Sequence, residues 1–311
     1  VFALAGLMFL STGALAADQP VYYIVAHAGT GESFWAVMYK GAMEAGRVLG
    51  AKVHFVAPDQ PGDLAKQVAI LRAAIAANPA GIATTVPNAK AFIDPIRKAV
   101  AKGIPLIVYD TREDPRDPIL LPYDAYIGAD DFKSGERVGQ RALRTLKKGD
   151  RAVIINHGPG HSGFEMRSGG IKKHLKPAGI EFEELDISGG ATKGLSVLAS
   201  YLKRVKAVEA IFALGSNGTA IAAKFLEEKG LAGKVLLASF DIDSVAVKAI
   251  EEGKMAFTLD QMPFYQSYMV VTQLHQAHMN QFTPIDMDYG GGFVSKENVA
   301  QVNELVKQGI R

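Results

Sequence analysis

Residues 21–26, Val21-Tyr22-Tyr23-Ile24-Val25-Ala26, form an uncharged run rich in β-branched and aromatic side chains. Apolar residues on consecutive positions are what a strand covered on both faces requires. A glycine-containing turn follows, and from Phe34 to Leu49 the apolar residues recur at helical spacing. The run and its helix are one half of a βαβ unit, and the same pair of signals repeats along the chain. Strand Lys52–Ala57 leads to a helix over Asp63–Ala77, Gly81–Thr85 to Lys90–Lys102, and a fourth strand spans Ile104–Tyr109. The alternation resumes at Tyr126-Ile127-Gly128 with a helix over Phe132–Leu146. Strands Ala152–Asn156, Ile180–Ile187, Ala210–Ala213 and Val235–Phe240 follow, with helices over Glu165–Lys176, Gly194–Val205 and Gly218–Lys229 between them. The expected fold class is α/β: two doubly wound, Rossmann-like parallel-sheet lobes.

Composition narrows the chemistry. The 311 residues are 48% hydrophobic, enough for real cores, and at about 100–200 residues per domain they fill two domains. The absence of cysteine removes disulfide scaffolds, Cys-ligated zinc, iron–sulfur centres and thiol nucleophiles. With 34 basic against 32 acidic side chains there is no basic stripe to hold a polyanion, so nucleic acid is not an expected partner. Residues 1–17 carry no charge and include Ala14-Leu15-Ala16, a small-x-small site; residues 1–16 read as a cleaved signal peptide without its basic start. That places the mature chain in the periplasm.

Arg112–Pro122 is the most proline-dense stretch and must be irregular; it marks a soft end to the first unit. Beyond Gly253 a strand over Met255–Leu259 leads to a helix over Phe264–Met279, a Gly290-Gly291-Gly292 break and a last helix over Lys296–Gln308. No internal repeat is visible.

In open parallel sheets ligands sit beyond the carboxyl ends of the strands. The residues found there are Phe34, Trp35, Thr85, Asp110, Arg167, Asn217, Asp241 and Gln261. Carboxylates accept pairs of hydroxyl protons, Arg donates through its fork, amides do both, and an aromatic ring covers a C–H face. The set suits a carbohydrate or polyol and contains no nucleophile–base pair. Singly, each residue also has an ordinary structural use: a lone Trp packs in cores, Asp after a strand caps the next helix, and Arg on a helix forms surface ion pairs.

The chain resembles the periplasmic sugar-binding proteins of ABC importers that are similar to ribose-binding protein, which share their fold with the effector domains of lac-repressor-type regulators. The likeness covers roughly residues 21–300. It rests on Ser33-Phe34-Trp35 ahead of Lys40-Gly41-Ala42, on Ile104 through Asp110, and on Tyr126-Ile127-Gly128-Ala129-Asp130-Asp131 before Ser134-Gly135. Arg167 with Gly169 and Gly170, Phe240-Asp241, and Thr258 through Pro263 complete it. The resemblance implies stacking by Phe34 and Trp35, hydroxyl acceptance by Asp110 and Asp241, hydroxyl contacts from Arg167, and amide contacts from Asn217 and Gln261. It further implies a hinge with crossings near Ala129-Asp130, Gln261-Met262 and Gly290. The lobes would then be 17–129 plus 262–290, and 130–261 plus 291–311. The expected protein is a non-enzymatic monomer without cofactor or metal, serving an inner-membrane permease and its ATPase. Three departures from the ribose pattern stand out: Glu32 and Thr85 where asparagine is usual, and Asp110-Thr111 with Arg112 one place late. They point to a differently hydroxylated ligand, and the extra acid at Glu32 favours an amino or cationic group.

Two rival functions have sequence support. Gly158-Pro159-Gly160-His161-Ser162-Gly163 is a literal G-x-G-x-x-G after a strand, with Asp186 at the end of the next, as in an NAD(P)-dependent oxidoreductase. A sensor subunit answering a sugar or autoinducer signal would use the same fold. The Gly160-His161-Ser162 turn misses the nucleophile-elbow pattern, and His275 and His278 at i,i+3 have no acid nearby in sequence.

Overall fold

A computed structural model describes residues 19–311; the leader read over residues 1–16 lies outside the described residues. The first run of elements is β1 (Val21–Val25), α1 (Ser33–Leu49), β2 (Lys52–Val56), α2 (Leu64–Ala76), β3 (Gly81–Thr84), α3 (Ala89–Ala101), β4 (Leu106–Tyr109) and β5 (Ala125–Gly128). The second is α4 (Asp131–Ala142), β6 (Arg151–Asn156), α5 (Ser162–Leu175), β7 (Glu181–Asp186), α6 (Ala191–Val205), β8 (Ala210–Ala213), α7 (Ser216–Glu228), β9 (Leu236–Phe240), α8 (Ser244–Glu251) and β10 (Phe257–Leu259). The chain closes with α9 (Pro263–Asn280), β11 (Met287–Asp288), β12 (Phe293–Ser295) and α10 (Val299–Lys307).

The strands form two six-stranded sheets, ordered β11-β5-β4-β3-β1-β2 and β12-β10-β9-β8-β6-β7. The two orders match strand for strand: β1 corresponds to β6, β2 to β7, β3 to β8, β4 to β9 and β5 to β10. A structural duplication is therefore present where the sequence shows no repeat. The sixth strands break the match, since β11 runs parallel to β5 and β12 antiparallel to β10. The doubly wound α/β expectation holds for both sheets. β3, β4, β5 and β8 are buried along their whole lengths, as consecutive apolar residues demand. β7 lies at a sheet edge and alternates glutamates with Phe182 and Leu185, the charge pattern that blunts an open edge.

Several expectations need correcting. The proline-rich stretch does not end the first unit: β5 lies beyond it and pairs parallel with β4, so residues 112–122 are an irregular insertion within one sheet. The sequence reading also passed over α8, β11 and β12. Two helical turns and strands of two or three residues are too short to display a period.

The chain crosses between the sheets three times, at Gly128–Asp131, Leu259–Pro263 and Asp288–Phe293. The crossings are tied together. The Asp130 and Gly290 amides both donate to Asp288 Oδ1, at 3.1 and 2.8 Å, and the Asp260 amide donates to the Gly292 carbonyl at 3.0 Å. Helix packing on the two sides relies on glycines. A Cβ at Gly41 would run into the Phe264 carbonyl where α1 meets α9, and one at Gly170 into the Phe132 carbonyl where α5 meets α4.

Candidate functional site

A cavity of about 430 Å³ opens between the two sheets, at the carboxyl ends of the strands of both. Its walls come from the segments after β1, β2 and β4 on one side and after β6, β8, β9 and β10 on the other. Clefts of about 590 Å³ beside Tyr23 and His54, and about 330 Å³ beside Arg151 and Tyr201, lie at the opposite ends of the strands. Those ends carry no topological switch point, which is where open α/β sheets bind ligands.

Glu32, Phe34, Trp35, Asp110, Arg167, Asn217, Asp241 and Gln261 all line the cavity. Thr85 does not. Its side chain turns behind the wall, where Oγ1 accepts from Gln67 Nε2 at 2.9 Å and sits 3.1 Å from His27 Nδ1. Trp35 is only 3% exposed and belongs to the core of the first sheet as well as to the cavity wall. Phe34 and His27 stand edge-on to it, at centroid distances of 5.3 and 4.7 Å.

Asp110 and Asp241 occupy matching places in the duplication, each directly after an inner strand. Both have left-handed backbones, with φ of 58° and 74°, a conformation Asp tolerates better than most residues and one that concentrates at functional sites. Each amide donates to the adjacent strand, Asp110 to the Ile127 carbonyl at 3.0 Å and Asp241 to the Leu259 carbonyl at 2.9 Å. Asp241 accepts from the Gln261 amide and, at 3.2 Å, from the Ser216 amide and hydroxyl. Thr111 Oγ1 donates to Asp110 Oδ2 at 2.9 Å.

Arg167 is 4% exposed and held by the protein through all three of its nitrogens. Its Nε donates to Asp131 Oδ1 at 2.7 Å, Nη1 to the Leu214 carbonyl at 2.8 Å and Nη2 to Gln261 Oε1 at 2.7 Å. Burial raises Asp131 to about 6 even with Arg167 opposing it. Burial likewise raises Asp110 to about 7, against the pull of Arg167.

Sequence reasoning missed His27, His157, His161 and Phe164, all in the cavity wall. His27 and His157 come directly after strand runs, so the strand-end rule that found Asp110 had the means to find them. Phe164 stacks on His161 at 4.3 Å and gives the second sheet an aromatic wall facing Phe34 and Trp35. The walls also touch: His161 Nε2 lies 3.4 Å from His27 Nε2, Asn217 Nδ2 donates to Glu32 Oε1 at 3.4 Å, and Ser162 Oγ donates to the Arg112 carbonyl at 2.7 Å.

The glycine motif at 158–163 is not a dinucleotide cradle. Gly158 donates to Asn156 Oδ1, Gly160 to Glu165 Oε1, His161 to the Gly158 carbonyl and Ser162 to the Pro87 carbonyl, so those amides are spent within the chain. Asp186 accepts from the Ser188 amide. His275 contacts the Tyr22 hydroxyl at 3.2 Å, and no group of His, Asp and Glu among the described residues is arranged to hold a metal.

The histidines give the site a pH signature. Burial, then Arg167 and His157, pull His27 down to about 3; burial pulls His157 to about 4 and His161 well below its usual range. Their folded values lie below the unfolded one near 6.5, so stability is full above pH 6.5 and is lost as pH falls toward 4. Each contributes at most about 1.4 kcal/mol per pH unit. Asp110, raised to about 7, acts oppositely: its contribution is full below its unfolded value near 4 and fades as pH rises to 7. His27→Gln should therefore flatten the acid side of the wild-type urea-stability profile between pH 6.5 and 4, and Asp110→Asn should steepen it. Identical slopes in all three proteins would contradict this account.

Comparison with known proteins agrees with this architecture. The profile of the periplasmic binding protein domain matches residues 22–281. The D-allose-binding periplasmic protein of Escherichia coli K12 is 27% identical over 268 residues, 84% of each chain. The crystal structure of a periplasmic sugar-binding protein of an ABC sugar transporter from Legionella pneumophila superimposes with a TM-score of 0.82 at 32% identity, over 87% of this chain and 99% of that one. A carbohydrate transporter from Acidothermus cellulolyticus 11B, solved with myo-inositol, gives 0.84 at 25% identity, over 94% of this chain and 100% of that one. With the profile spanning most of its length and both sheets superimposing, this chain belongs to the periplasmic binding protein domain family.

Proposed function

We propose that this protein is a periplasmic solute-binding protein. It captures a monosaccharide or related polyol between two closing lobes and delivers it to the permease of an ABC importer, with no chemical change to the ligand. The observation that carries the reading is the cavity between the sheets, with one carboxylate at the matching strand end of each sheet and aromatic rings on both sides. Asp110 and Asp241 accept hydroxyl protons, Asn217 and Gln261 supply amide contacts, and Arg167 holds Gln261 and the second-sheet wall in place. Phe34 and Trp35 on one side and Phe164 on the other cover the C–H faces. The lobes comprise 17–129 plus 262–290 and 130–261 plus 291–311, and the apolar leader directs export. The names of the relatives, among them an allose-binding and a sugar-binding protein, support the ligand class.

A thermal-shift screen over pentoses, hexoses, polyols and nucleosides tests the proposal. At least one sugar or polyol should raise the melting temperature, bind at one site per chain and be recovered unaltered. Small-angle scattering should show the protein becoming more compact with that ligand. A screen in which only nucleotides shift the melting temperature, or scattering curves unchanged by a tightly bound sugar, would sink it.

A further inference from the structure

The charges around the cavity do not balance. Its wall holds Glu32, Asp110, Asp241 and Asp243 against Arg167, with no lysine among the described lining residues. Two of these charges are already committed. Arg167 is paired with Asp131 behind the wall, and each of its three nitrogens donates to the protein. Asp243 caps α8 by accepting from the Ala246 amide at 2.8 Å. The three histidines are held neutral by burial. What remains facing the ligand is Glu32, Asp110 and Asp241. The amino ends of α1, α5 and α7 also face the cavity, each equivalent to about half a positive charge, and do not offset Glu32, Asp241 and an Asp110 that burial leaves partly protonated.

Asp110 is the most deeply buried of the three. It is 4% exposed, its Oδ2 accepts from Thr111, and its Oδ1 has no hydrogen-bond partner among the described residues while the residue borders the cavity. By contrast, both carboxylate oxygens of Asp241 accept hydrogen bonds from the chain. A neutral hydroxyl would satisfy Asp110 Oδ1 but leave the excess negative charge without a counter-charge beside a buried carboxylate, which is costly.

Resting on the reading of this cavity as a polyol site, we propose that its ligand is an aminated one, a hydroxylated ring bearing a protonated amine, with the ammonium seated on Asp110 and the field of Glu32 and Asp241 around it. The aromatic walls and the amides of Asn217 and Gln261 then serve the rest of the ring. An ammonium supplies three donors and the missing positive charge at once. Burial is the main cause that raises Asp110 and Glu32, and the neighbouring Asp241 carboxylate adds to it in both; that carboxylate field favours the same cation.

The test is calorimetry on matched pairs: glucose, galactose, allose, ribose, xylose and myo-inositol, each beside its monoamino derivatives. At least one aminated member should bind about tenfold or more tightly than its parent, the difference between a charge-assisted and a neutral hydrogen bond. In Asp110→Asn, which keeps a side chain suited to the left-handed backbone, that preference should fall below about threefold. Glu32→Gln should reduce it too, and serves if the Asp110 variant does not fold. Parents that bind while no aminated member binds better would overturn the proposal and leave the sugar-binding reading standing. A preference unchanged in both variants would overturn it as well. If neither parents nor amines bind, both readings fall.

Discussion

Arg167→Met should lower the folding stability of the ligand-free protein by about 3–5 kcal/mol, read from urea denaturation midpoints. The side chain is almost fully enclosed and its Nε is paired with Asp131, whose carboxylate is wholly buried. Removing the guanidinium strands that carboxylate, together with the Leu214 carbonyl and the Gln261 side chain that the two Nη atoms hold. Asp131 Oδ2 already lacks a partner, so no spare donor stands ready to compensate. The double variant Asp131→Leu/Arg167→Met should recover part of the loss, because replacing both members of a buried pair removes the stranded charge. Recovery should be incomplete, since Leu214 and Gln261 remain unserved. A single-variant loss below about 1 kcal/mol would show that water reaches Asp131 and that the network is not a structural keystone of the second sheet.

Asp110→Ala and Asp241→Ala should each weaken binding of the ligand found by the screen by about 1.5–3 kcal/mol, or roughly 10- to 150-fold, as titration calorimetry would show. Both residues have left-handed backbones, so alanine also brings a folding cost of about 1 kcal/mol that binding data alone do not separate. The asparagine variants are the control, since Asn adopts that conformation readily and retains an acceptor. Binding undiminished in both alanine variants would remove the two acids from the site.

These effects trace back to features of the sequence of uneven legibility. The alternation of apolar runs and amphipathic stretches shows the doubly wound architecture because strands such as Leu106–Tyr109 are buried on both faces and tolerate nothing polar. The rule that ligands gather at strand ends then points to Asp110 and Asp241. It fails at Thr85, where the period of two in an extended chain sends the side chain to Gln67, behind the wall. His27 and His157 stand at strand ends within reach of the same rule; what the sequence does not show is that the approach of the two sheets brings the His27 and His161 rings together. The Arg167–Asp131 pair was likewise illegible: its members are 36 residues apart on different helices, and the contact depends on the close approach of α4 and α5 at Gly135 and Gly170. The duplication of sheet order is invisible in sequence because topology constrains burial, which many apolar residues satisfy, and not identity.

The interleaved lobes also set the order in which a growing chain can bury its surface. Helix α1 presents Met38, Ala42 and Ala45 to a core completed by Val270, Val271 and Leu274 of α9, with Ser267 bonded to the Met38 carbonyl at 2.6 Å. The first sheet, in turn, takes its edge strand from Met287–Asp288. During synthesis the amino-terminal half therefore emerges without the helix that covers it, and stays incompletely packed until some 280 residues have been made. Only the second run of strands, β6 to β10, has nearly all its partners close at hand. The half made first waits longest for its last partners, which gives the unfinished chain a long interval in which it is loose enough to be threaded, bound by a chaperone, or cleaved.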